Sequence, residues 1–332
     1  MDLLEQLNYI FCPRAIAVVG ASSNPDKVGF MCVASLLEAG FKGRIYPVNP
    51  GLAEVSGLRV YPSIAAIPDE VDLAIIVVPS QLTISAVEEC IASGVKGAVV
   101  ISGGFKEVGT EIGLDLQDRI KDIANKGGIK IVGPNTLGVA NPRANLNATF
   151  ASVIGSGKVG SVAVASQSGG MCVYIVHALT DHNVGISKVI GVGNRCNLDF
   201  DEVITYFDED EETKVIVIYV EGLEHPLRVM DVARQVVRRK PIVAYKSGRS
   251  EDVTKATLSH TSALAGKDEF YKAAFSQAGI ITVDSITELV DITKALTLQL
   301  PSVGNRVAVL SIQAGPGIIM ADKCAELGLR LA

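Results

Sequence analysis

His260 is the residue whose surroundings most suggest chemistry. It stands in the stretch LSHTSALAG at residues 258–266, in a chain that has only four histidines. A structural histidine usually sits among bulky apolar residues, whereas these neighbours are small or carry hydroxyl groups. A neutral imidazole is a good nucleophile towards phosphorus near neutral pH. Small neighbours leave room for a phosphoryl group and let the loop move, so the pattern favours a nucleophilic histidine.

Two other stretches supply groups that could work with this histidine. Glu221 directly follows the apolar run VIVIYV, so its carboxylate should be partly buried at a sheet edge and need a partner. A carboxylate beside an imidazole fixes the tautomer and stabilises the cation formed on attack. In ASQSGGMC, the residues Ser168, Gly169 and Gly170 open a helix whose first amides could hold a phosphate. An ordinary serine cap is the alternative interpretation of that stretch.

The other histidines and the cysteines predict no further chemistry. His177, His182 and His225 lie within or at the ends of predicted helices, where we interpret them as structural or exposed. No group of residues has metal-ligand spacing, so we expect no metal site. The six cysteines are scattered without a CxxC pair, which predicts neither a zinc site nor a disulfide framework.

The elements that must position these residues alternate between short β-branched runs and longer amphipathic segments. This alternation predicts an α/β fold with parallel sheets. The five strands predicted in the first third are AIAVVGAS, RIYPVN, LAIIVVPS, GAVVISGG and IKIVGPN. The five predicted in a second doubly wound domain are SVAVASQ, GISKVIGVGN, KVIVIYVEG, KPIVAYKSG and GIITVDS.

The same pattern predicts three domains: residues 1–145, residues 155–298 and the start of a third α/β domain at residues 302–332. We interpret NPRANLNATFASVIGSGKVG as the irregular connection between the first two. The third domain begins with one strand, a glycine-rich turn and one helix, which cannot bury their own faces. We therefore expect either that the chain is part of a longer protein or that its end packs elsewhere.

The first domain offers candidate ligand contacts where its strands end, since ligands bind beyond the carboxyl ends of strands in open α/β sheets. The opening turn, VVGASSNPDKVG, resembles a dinucleotide fingerprint, yet Gly20 and Gly29 are nine residues apart instead of forming GxGxxG. The second strand ends in Asn49, where an NAD site usually has an acidic residue. Lys27 suits a ligand with an extra phosphate. The alternative interpretation of this stretch is a tight turn that binds no ligand.

Composition excludes several classes of protein. The chain has 332 residues and a net charge of −6, which argues against a nucleic-acid or anionic membrane surface. Its longest uncharged apolar runs are far shorter than a membrane span. The acidic N-terminal stretch MDLLEQLNYIF lacks the pattern of a signal peptide. We therefore expect a cytoplasmic protein.

Six motifs in order resemble those of one family. They are GASSNPDKVG, YPVNP, GPNTLGV, SQSGG, YVEG and SHTSALAG. With them the chain resembles the α subunit, or α-like region, of NDP-forming acyl-CoA synthetases such as ADP-forming acetyl-CoA synthetase, and more distantly the succinyl-CoA synthetase α subunit. The resemblance implies a Rossmann-like CoA-binding domain, a flavodoxin-like domain carrying a phosphohistidine loop, and the start of a third flavodoxin-like domain.

The resemblance also implies a role for each candidate residue. His260 would be phosphorylated, Glu221 would orient and stabilise it, and Ser168 to Gly170 would bind phosphate. The implied coenzyme A contacts are Gly20, Ser22, Lys27, Asn49, Pro79, Ser102 and Asn135. Family members convert acyl-CoA and phosphate into acyl phosphate and CoA, and the histidine then passes the phosphoryl group to ADP on an ATP-grasp module.

This chain has no candidate ATP-grasp region. The resemblance therefore implies a hetero-oligomer with an ATP-grasp β subunit, or a missing C-terminal region, that binds Mg²⁺ with ADP or ATP. A catalytically silent CoA-binding regulatory module is a second hypothesis, which His260 and Glu221 argue against. A nicotinamide-dependent dehydrogenase is a third, disfavoured by Asn49 and by the absence of GxGxxG.

Overall fold

The computed structural model describes residues 2–155, 157–248, 268–299 and 304–332. The chain divides into two compact units, Met1–Thr297 and Leu298–Ala332. The helices in the described residues are α1 (Leu3–Phe11), α2 (Val28–Glu38), α3 (Ser80–Ala92), α4 (Glu111–Gly127), α5 (Ser152–Gly155), α6 (Gly169–Asp181), α7 (Phe200–Glu209), α8 (Pro226–Val236), α9 (Asp268–Ala278), α10 (Ile286–Leu298) and α11 (Ala314–Glu326).

The strands belong to two large sheets and two small pairs. They are β1 (Ala15–Val19), β2 (Arg44–Val48), β3 (Glu54–Val55), β4 (Leu58–Arg59), β5 (Leu73–Ile76), β6 (Gly97–Val100), β7 (Lys130–Val132), β8 (Gly138–Asn141), β9 (Leu146–Thr149), β10 (Val159–Ser166), β11 (Ile186–Gly191), β12 (Val215–Val220), β13 (Ile242–Lys246), β14 (Ile281–Val283), β15 (Arg306–Val307) and β16 (Arg330–Leu331). The sequence therefore forms a mixed α/β fold, as predicted.

The first sheet is entirely parallel and has the strand order β2-β1-β5-β6-β7. All five strands predicted in the first third of the sequence are present. Strands β1, β5 and β6 are buried along their whole length. Burial on both faces explains why their sequences are continuous apolar runs and do not alternate with polar residues.

A tight turn joins β1 to α2. Gly20 has a φ of +92°, which is the left-handed region that favours glycine. A Cβ atom on Gly29 would lie 2.1 Å from the carbonyl oxygen of Gly20, so only glycine lets the start of α2 approach the turn this closely. The nine-residue spacing thus reflects a close contact between two glycines, one on each side of the loop.

The second sheet has seven strands in the order β14-β13-β12-β10-β11-β8-β9. Its five parallel strands, β10 to β14, are the five predicted for the second domain. Because β10 lies between β11 and β12, the chain reverses its winding direction at β10. Ligands bind at such a switch point in open α/β sheets.

The segment interpreted as an irregular connection is instead part of the second sheet. Strand β9 pairs with β8, which pairs antiparallel with β11, and α5 follows. Asn147 and Thr149 of this segment are buried and bonded to each other. The hydroxyl of Thr149 donates to Asn147 Oδ1 at 2.7 Å, and the Asn147 side-chain amide donates to the Ala151 carbonyl at 3.2 Å. The domain boundaries at 145 and 155 stay predictions.

The two sheets share a hydrophobic core. One cluster of buried side chains contains Ile16 and Val18 of β1 together with Ile216 and Ile218 of β12. Residues of helix α1 belong to the same cluster, and its Phe11 ring stacks on Tyr206 of α7 with the ring centroids 5.1 Å apart. The sheets of the larger unit are therefore packed against one another.

The smaller unit contains the strand, turn and helix that the sequence predicted after residue 302. Helix α11 follows β15 and precedes β16 along the chain, and the two strands pair in parallel. Within the parts of the chain that the structure describes, no helix combines the length and the apolar content needed to cross a membrane.

Candidate functional site

A cavity of about 490 Å³ lies where the carboxyl ends of strands from both sheets meet. We call it the shared cavity. Its lining residues are Val28, Ile101, Lys106, Asn135, Thr136, Leu137, Phe150, Gln167, Ser168, Gly169, Gly170, Gly193, Asn194, Arg195 and Glu221. It thus contains four of the predicted site residues of the second domain and one of the first.

The N-terminus of α6 forms one side of the shared cavity. Ser168 is the N-cap residue, and its hydroxyl accepts the backbone N–H of Met171 at 3.3 Å. The next two amides, those of Gly169 and Gly170, have no acceptor within the helix because they belong to its first turn. A Cβ on Gly170 would meet open space, so the backbone here faces room for a ligand. Such a helix start attracts anions.

Glu221 stands beside this helix start because Gln167 ties two strand ends together. The Gln167 side-chain oxygen accepts the backbone N–H groups of Glu221 and Gly222, at 3.0 and 3.2 Å. The backbone N–H of Gln167 in turn donates to the Tyr219 carbonyl of β12 at 3.1 Å. Since β10 and β12 are neighbours, Ser168 and Glu221 come to the same cavity.

His260 lies outside the described residues, so its approach to Glu221 stays a prediction. The described chain on both sides of residues 249–267 is anchored near Glu221. Strand β13 precedes that segment and pairs with β12, with Lys246 opposite Val220. Helix α9 follows it, and the Leu223 N–H donates to the Tyr271 hydroxyl at 3.0 Å. These anchors place the described residues on either side of the segment close to Glu221.

A second cavity, of about 550 Å³, lies at the carboxyl edge of the first sheet. We call it the first-sheet cavity. Three predicted coenzyme A contacts line it: Gly20, Asn49 and Pro79. The Asn49 side chain donates to the Ala21 carbonyl at 2.8 Å and accepts the Gly51 N–H at 2.8 Å. Asn49 therefore shapes the turn after β1 as well as the wall of the cavity.

The other predicted coenzyme A contacts have different positions. Ser22 accepts the N–H of Asn24 in a local turn, and Lys27 is the exposed N-cap residue of α2. Ser102 accepts the Asn135 N–H through its backbone oxygen at 2.9 Å, while its hydroxyl donates to the Val78 carbonyl at 2.5 Å. Ser102 thereby links the wall of the first-sheet cavity to Asn135 in the shared cavity.

Sequence reasoning missed the charged residues Lys106, Arg195 and Glu224 around the shared cavity. Lys106 forms an ion pair with Glu224, and the Arg195 Nη2 lies 4.0 Å from the same carboxylate. Burial, the strongest single influence, would raise the pKa of Glu224. The hydrogen bond from Lys106 and the positive charges of Lys106 and Arg195 outweigh it and hold this pKa below its usual value.

One sequence signal could have identified Arg195. It follows β11 within GVGNRC, at the strand end where ligand contacts are expected, but the predicted strand segment GISKVIGVGN stops one residue earlier, at Asn194. Asn194 is also in the cavity, and its side-chain amide donates to Gln117 at 2.9 Å.

The remaining histidines lie elsewhere on the molecule. His177 faces Asp181 on the exposed side of α6, 3.4 Å away, and His182 ends that helix. His225 is the N-cap residue of α8. None of these three lines the shared cavity.

Two family models match the chain. A CoA-binding domain model matches residues 14–142, and a model described as a succinyl-CoA ligase-like flavodoxin domain matches residues 159–296. The shared cavity is built from residues of both matched regions.

Similar proteins match almost the whole chain. The alpha subunit of the ADP-forming acetate–CoA ligase II of Pyrococcus furiosus is 43% identical over 98% of this chain and 70% of that subunit. The ADP-forming acetate–CoA ligase of Methanocaldococcus jannaschii is 41% identical over 98% of this chain and 45% of that protein.

A solved structure is similarly close. It is an acetyl-coenzyme A synthetase 1 of Candidatus Korarchaeum cryptofilum in complex with phosphate and ADP. Its TM-score is 0.92 and its identity 40%, over 98% of this chain and 70% of that one.

Proposed function

This chain belongs to the ADP-forming acetate–CoA ligase family, and from that premise we propose that it binds coenzyme A and carries a phosphoryl group on His260 in such a ligase. Its matches to alpha subunits imply a partner subunit or region for nucleotide binding. Relatives of both the two-subunit and the longer single-chain kind are ligases. This favours an enzyme over a silent regulatory module or a nicotinamide-dependent dehydrogenase.

The observation that carries the proposal is the shared cavity. It brings an anion-attracting helix start, the Glu221 carboxylate and Asn135 of the CoA-binding region into one space. Phosphate and the thioester of an acyl-CoA need to meet in such a place. We assign phosphate to Ser168, Gly169 and Gly170, because first-turn amides suit an anion.

In the first proposed step, a phosphate oxygen attacks the thioester carbonyl carbon. A C–O bond forms, the C–S bond breaks, and CoA leaves as a thiolate that takes up a proton. The products are acyl phosphate and CoA. The amides of the α6 N-terminus hold the phosphate close to the thioester, and this proximity lowers the entropic part of the barrier.

In the second step, one nitrogen of the His260 imidazole attacks the phosphorus of acyl phosphate. An N–P bond forms, the bond from phosphorus to the acyl oxygen breaks, and the carboxylate leaves. Glu221 accepts the N–H of the other ring nitrogen, which fixes the tautomer and stabilises the positive charge on the ring.

Coenzyme A occupies the first-sheet cavity in this proposal. Gly20, Asn49 and Pro79 contact it there. Ser22 and Lys27 lie in the loop that enters α2, where Lys27 is close in sequence to the helix start and suits a phosphate. Ser102 and Asn135 lead from this cavity towards the thioester in the shared cavity.

The nucleotide step requires a further module. We propose an ATP-grasp β subunit or region that binds ADP with Mg²⁺ and receives the phosphoryl group from phospho-His260. The ligase would then be a hetero-oligomer or a longer chain. We place it in the cytoplasm, in keeping with the sequence pattern.

Phosphorylation of the chain tests the proposal. Incubated with acetyl-CoA, labelled phosphate and Mg²⁺, the chain should acquire acid-labile label, and adding ADP with the nucleotide-binding partner should remove it. His260→Asn should abolish the label, whereas the matched control His177→Asn should retain it. If folded protein that binds CoA acquires no label with any of a panel of acyl-CoAs, the regulatory function is favoured instead.

A further inference from the structure

Arg195 is the most deeply buried charged residue of the shared cavity. Only 1% of its side chain is exposed, although it lines a space open to ligands. Its φ is +57°, a conformation that costs free energy for any residue with a Cβ. Such strain clusters at active sites and ligand-binding segments.

The guanidinium of Arg195 is only partly satisfied. Nη1 donates to Asp199 Oδ1 at 3.1 Å, and Nη2 lies 4.0 Å from Glu224 Oε1. The guanidinium carbon lies 5.7 Å from the centre of the Phe200 ring. The Nε–H is buried and has no hydrogen-bond partner among the described residues. A buried donor left in this way is expensive unless a ligand or water accepts its hydrogen bond.

The two carboxylates beside Arg195 also contact other groups. Glu224 is shared with Lys106, which forms an ion pair with it. Asp199 also contacts the start of α7, where its side chain accepts the Phe200 N–H at 2.7 Å. The cavity wall therefore carries two cationic side chains, Lys106 and Arg195, alongside Glu221 and the positive end of α6.

We propose that the Nε–H of Arg195 donates a hydrogen bond to an oxyanion of the small reactant in the shared cavity. This inference rests on the proposed function. The reaction offers two oxyanions of suitable chemistry: the inorganic phosphate and the carboxylate released from the acyl group. A guanidinium suits both because its planar N–H groups match two oxygens of either anion. Arg195 is then a binding residue of the same cavity as the phosphate-binding amides.

Anion binding by two variants tests the proposal. Arg195→Lys keeps a positive charge for Asp199 and Glu224 but removes the Nε donor, and Arg195→Gln removes both. Each would be titrated with inorganic phosphate alone and with acetate alone, by calorimetry. We expect at least about tenfold weaker binding of one anion in both variants. The anion affected identifies which reactant contacts Arg195.

Arg239→Lys and Arg239→Gln are the matched controls. Arg239 also pairs with a buried carboxylate, that of Asp208, but does not line the shared cavity. Both controls should bind the two anions as the parent does. Thermal unfolding of all variants would establish that they are folded.

A measurement on the unaltered chain covers the case in which the variants do not fold. The arginine Nε–H signals in a ¹⁵N–¹H spectrum would be followed while phosphate or acetate is added. The Arg195 signal should shift on binding. Unchanged affinities in the folded Arg195 variants, or an Arg195 signal that neither anion shifts, would overturn the proposal.

These tests separate the proposed anion contact of Arg195 from the proposed phosphorylation of His260. Anion titration needs no turnover, so it reports on Arg195 even if the phosphohistidine is never formed. Conversely, label on His260 in a protein whose anion binding ignores Arg195 would preserve the proposed function and reject this inference.

Discussion

Gln167 shows how one side chain can set the geometry of the candidate site. By accepting the N–H groups of Glu221 and Gly222, its side-chain oxygen joins the end of β12 to the loop before α6. The helix start that would hold phosphate and the carboxylate that would support His260 are therefore fixed relative to each other.

Glu221→Gln tests the carboxylate. Glutamine keeps the size of the side chain and an amide oxygen but loses the charge that stabilises a histidine cation. We expect the rate of His260 phosphorylation to fall about 100-fold or more, measured as initial incorporation of label. Glu209→Gln, an exposed control on α7, should leave the rate unchanged. An equal rate in Glu221→Gln would contradict the assigned role.

The sequence predicted the residues whose positions depend on a strand end alone. Ser168 and Glu221 each follow a buried apolar run, and parallel strands present such ends at one edge. Arg195 and Lys106 could not be identified as site residues from the sequence, because their positions depend on more than the end of one strand. Arg195 requires a positive φ, and Lys106 requires Glu224, which lies 118 residues further along the chain.

At the scale of elements, the start of α2 lies against the turn that lines the first-sheet cavity. Gly29 is the second residue of that helix and touches the carbonyl of Gly20 across the loop. Any side chain at this position would push the helix away from the turn that lines the cavity. Stability and coenzyme A binding should therefore change together.

Gly29→Ala tests this contact. The added Cβ would overlap the Gly20 oxygen, so we expect the free energy of unfolding to fall by about 1–3 kcal/mol and CoA binding to weaken. Denaturant unfolding and CoA titration would measure both. Gly315→Ala is the control, since Gly315 is also the second residue of its helix but a Cβ there meets open space. Unchanged stability and CoA affinity in Gly29→Ala would show that the turn can move freely.

The sequence predicted the parallel strands of the two large sheets but not the strands β8 and β9. The ten parallel strands of the two large sheets were recognisable because each contains a short run rich in apolar residues. In β1, β5 and β6 this run is continuous because both faces of the strand are buried. Strands β8 and β9 were missed because their sequences, GVAN and LNAT, contain Asn, Gly or Thr in place of a continuous apolar run. Strand β8 pairs with β11, a contact between distant parts of the chain that no local pattern displays, and β9 pairs with β8.

At the scale of the whole molecule, the ion pair between Arg14 and Asp72 makes stability depend on pH. The Asp72 carboxylate is 1% exposed and accepts the Arg14 backbone N–H at 2.7 Å and its Nε–H at 3.1 Å. Burial alone would raise the pKa of Asp72, but the hydrogen bonds and charge of Arg14 hold it below its usual value. Because the pKa is lower in the folded state, this stabilisation is present above the unfolded pKa, about 4, and is lost as the pH falls through the folded pKa.

Asp72→Asn should remove that dependence. The free energy of unfolding should fall at neutral pH, and its decline on acidification should be shallower than in the parent. Denaturant unfolding at a series of pH values would measure both. Asp231→Asn, which alters an exposed ion pair, should follow the parent curve. An Asp72→Asn curve parallel to the parent throughout would exclude this contribution.

The pairing of β8 with β11 determines how the larger unit can be divided. A fragment that starts at residue 155 lacks β8 and β9, so the edge of β11 is left with unpaired backbone N–H and C=O groups. Exposed strand edges recruit other chains. Such a fragment should therefore self-associate more strongly than one that starts at residue 138, which keeps its own edge strands and loses only the core contacts with the first sheet that both fragments lack. A fragment designed to contain the complete second sheet should therefore begin before β8. That starting point lies inside the region matched by the CoA-binding model.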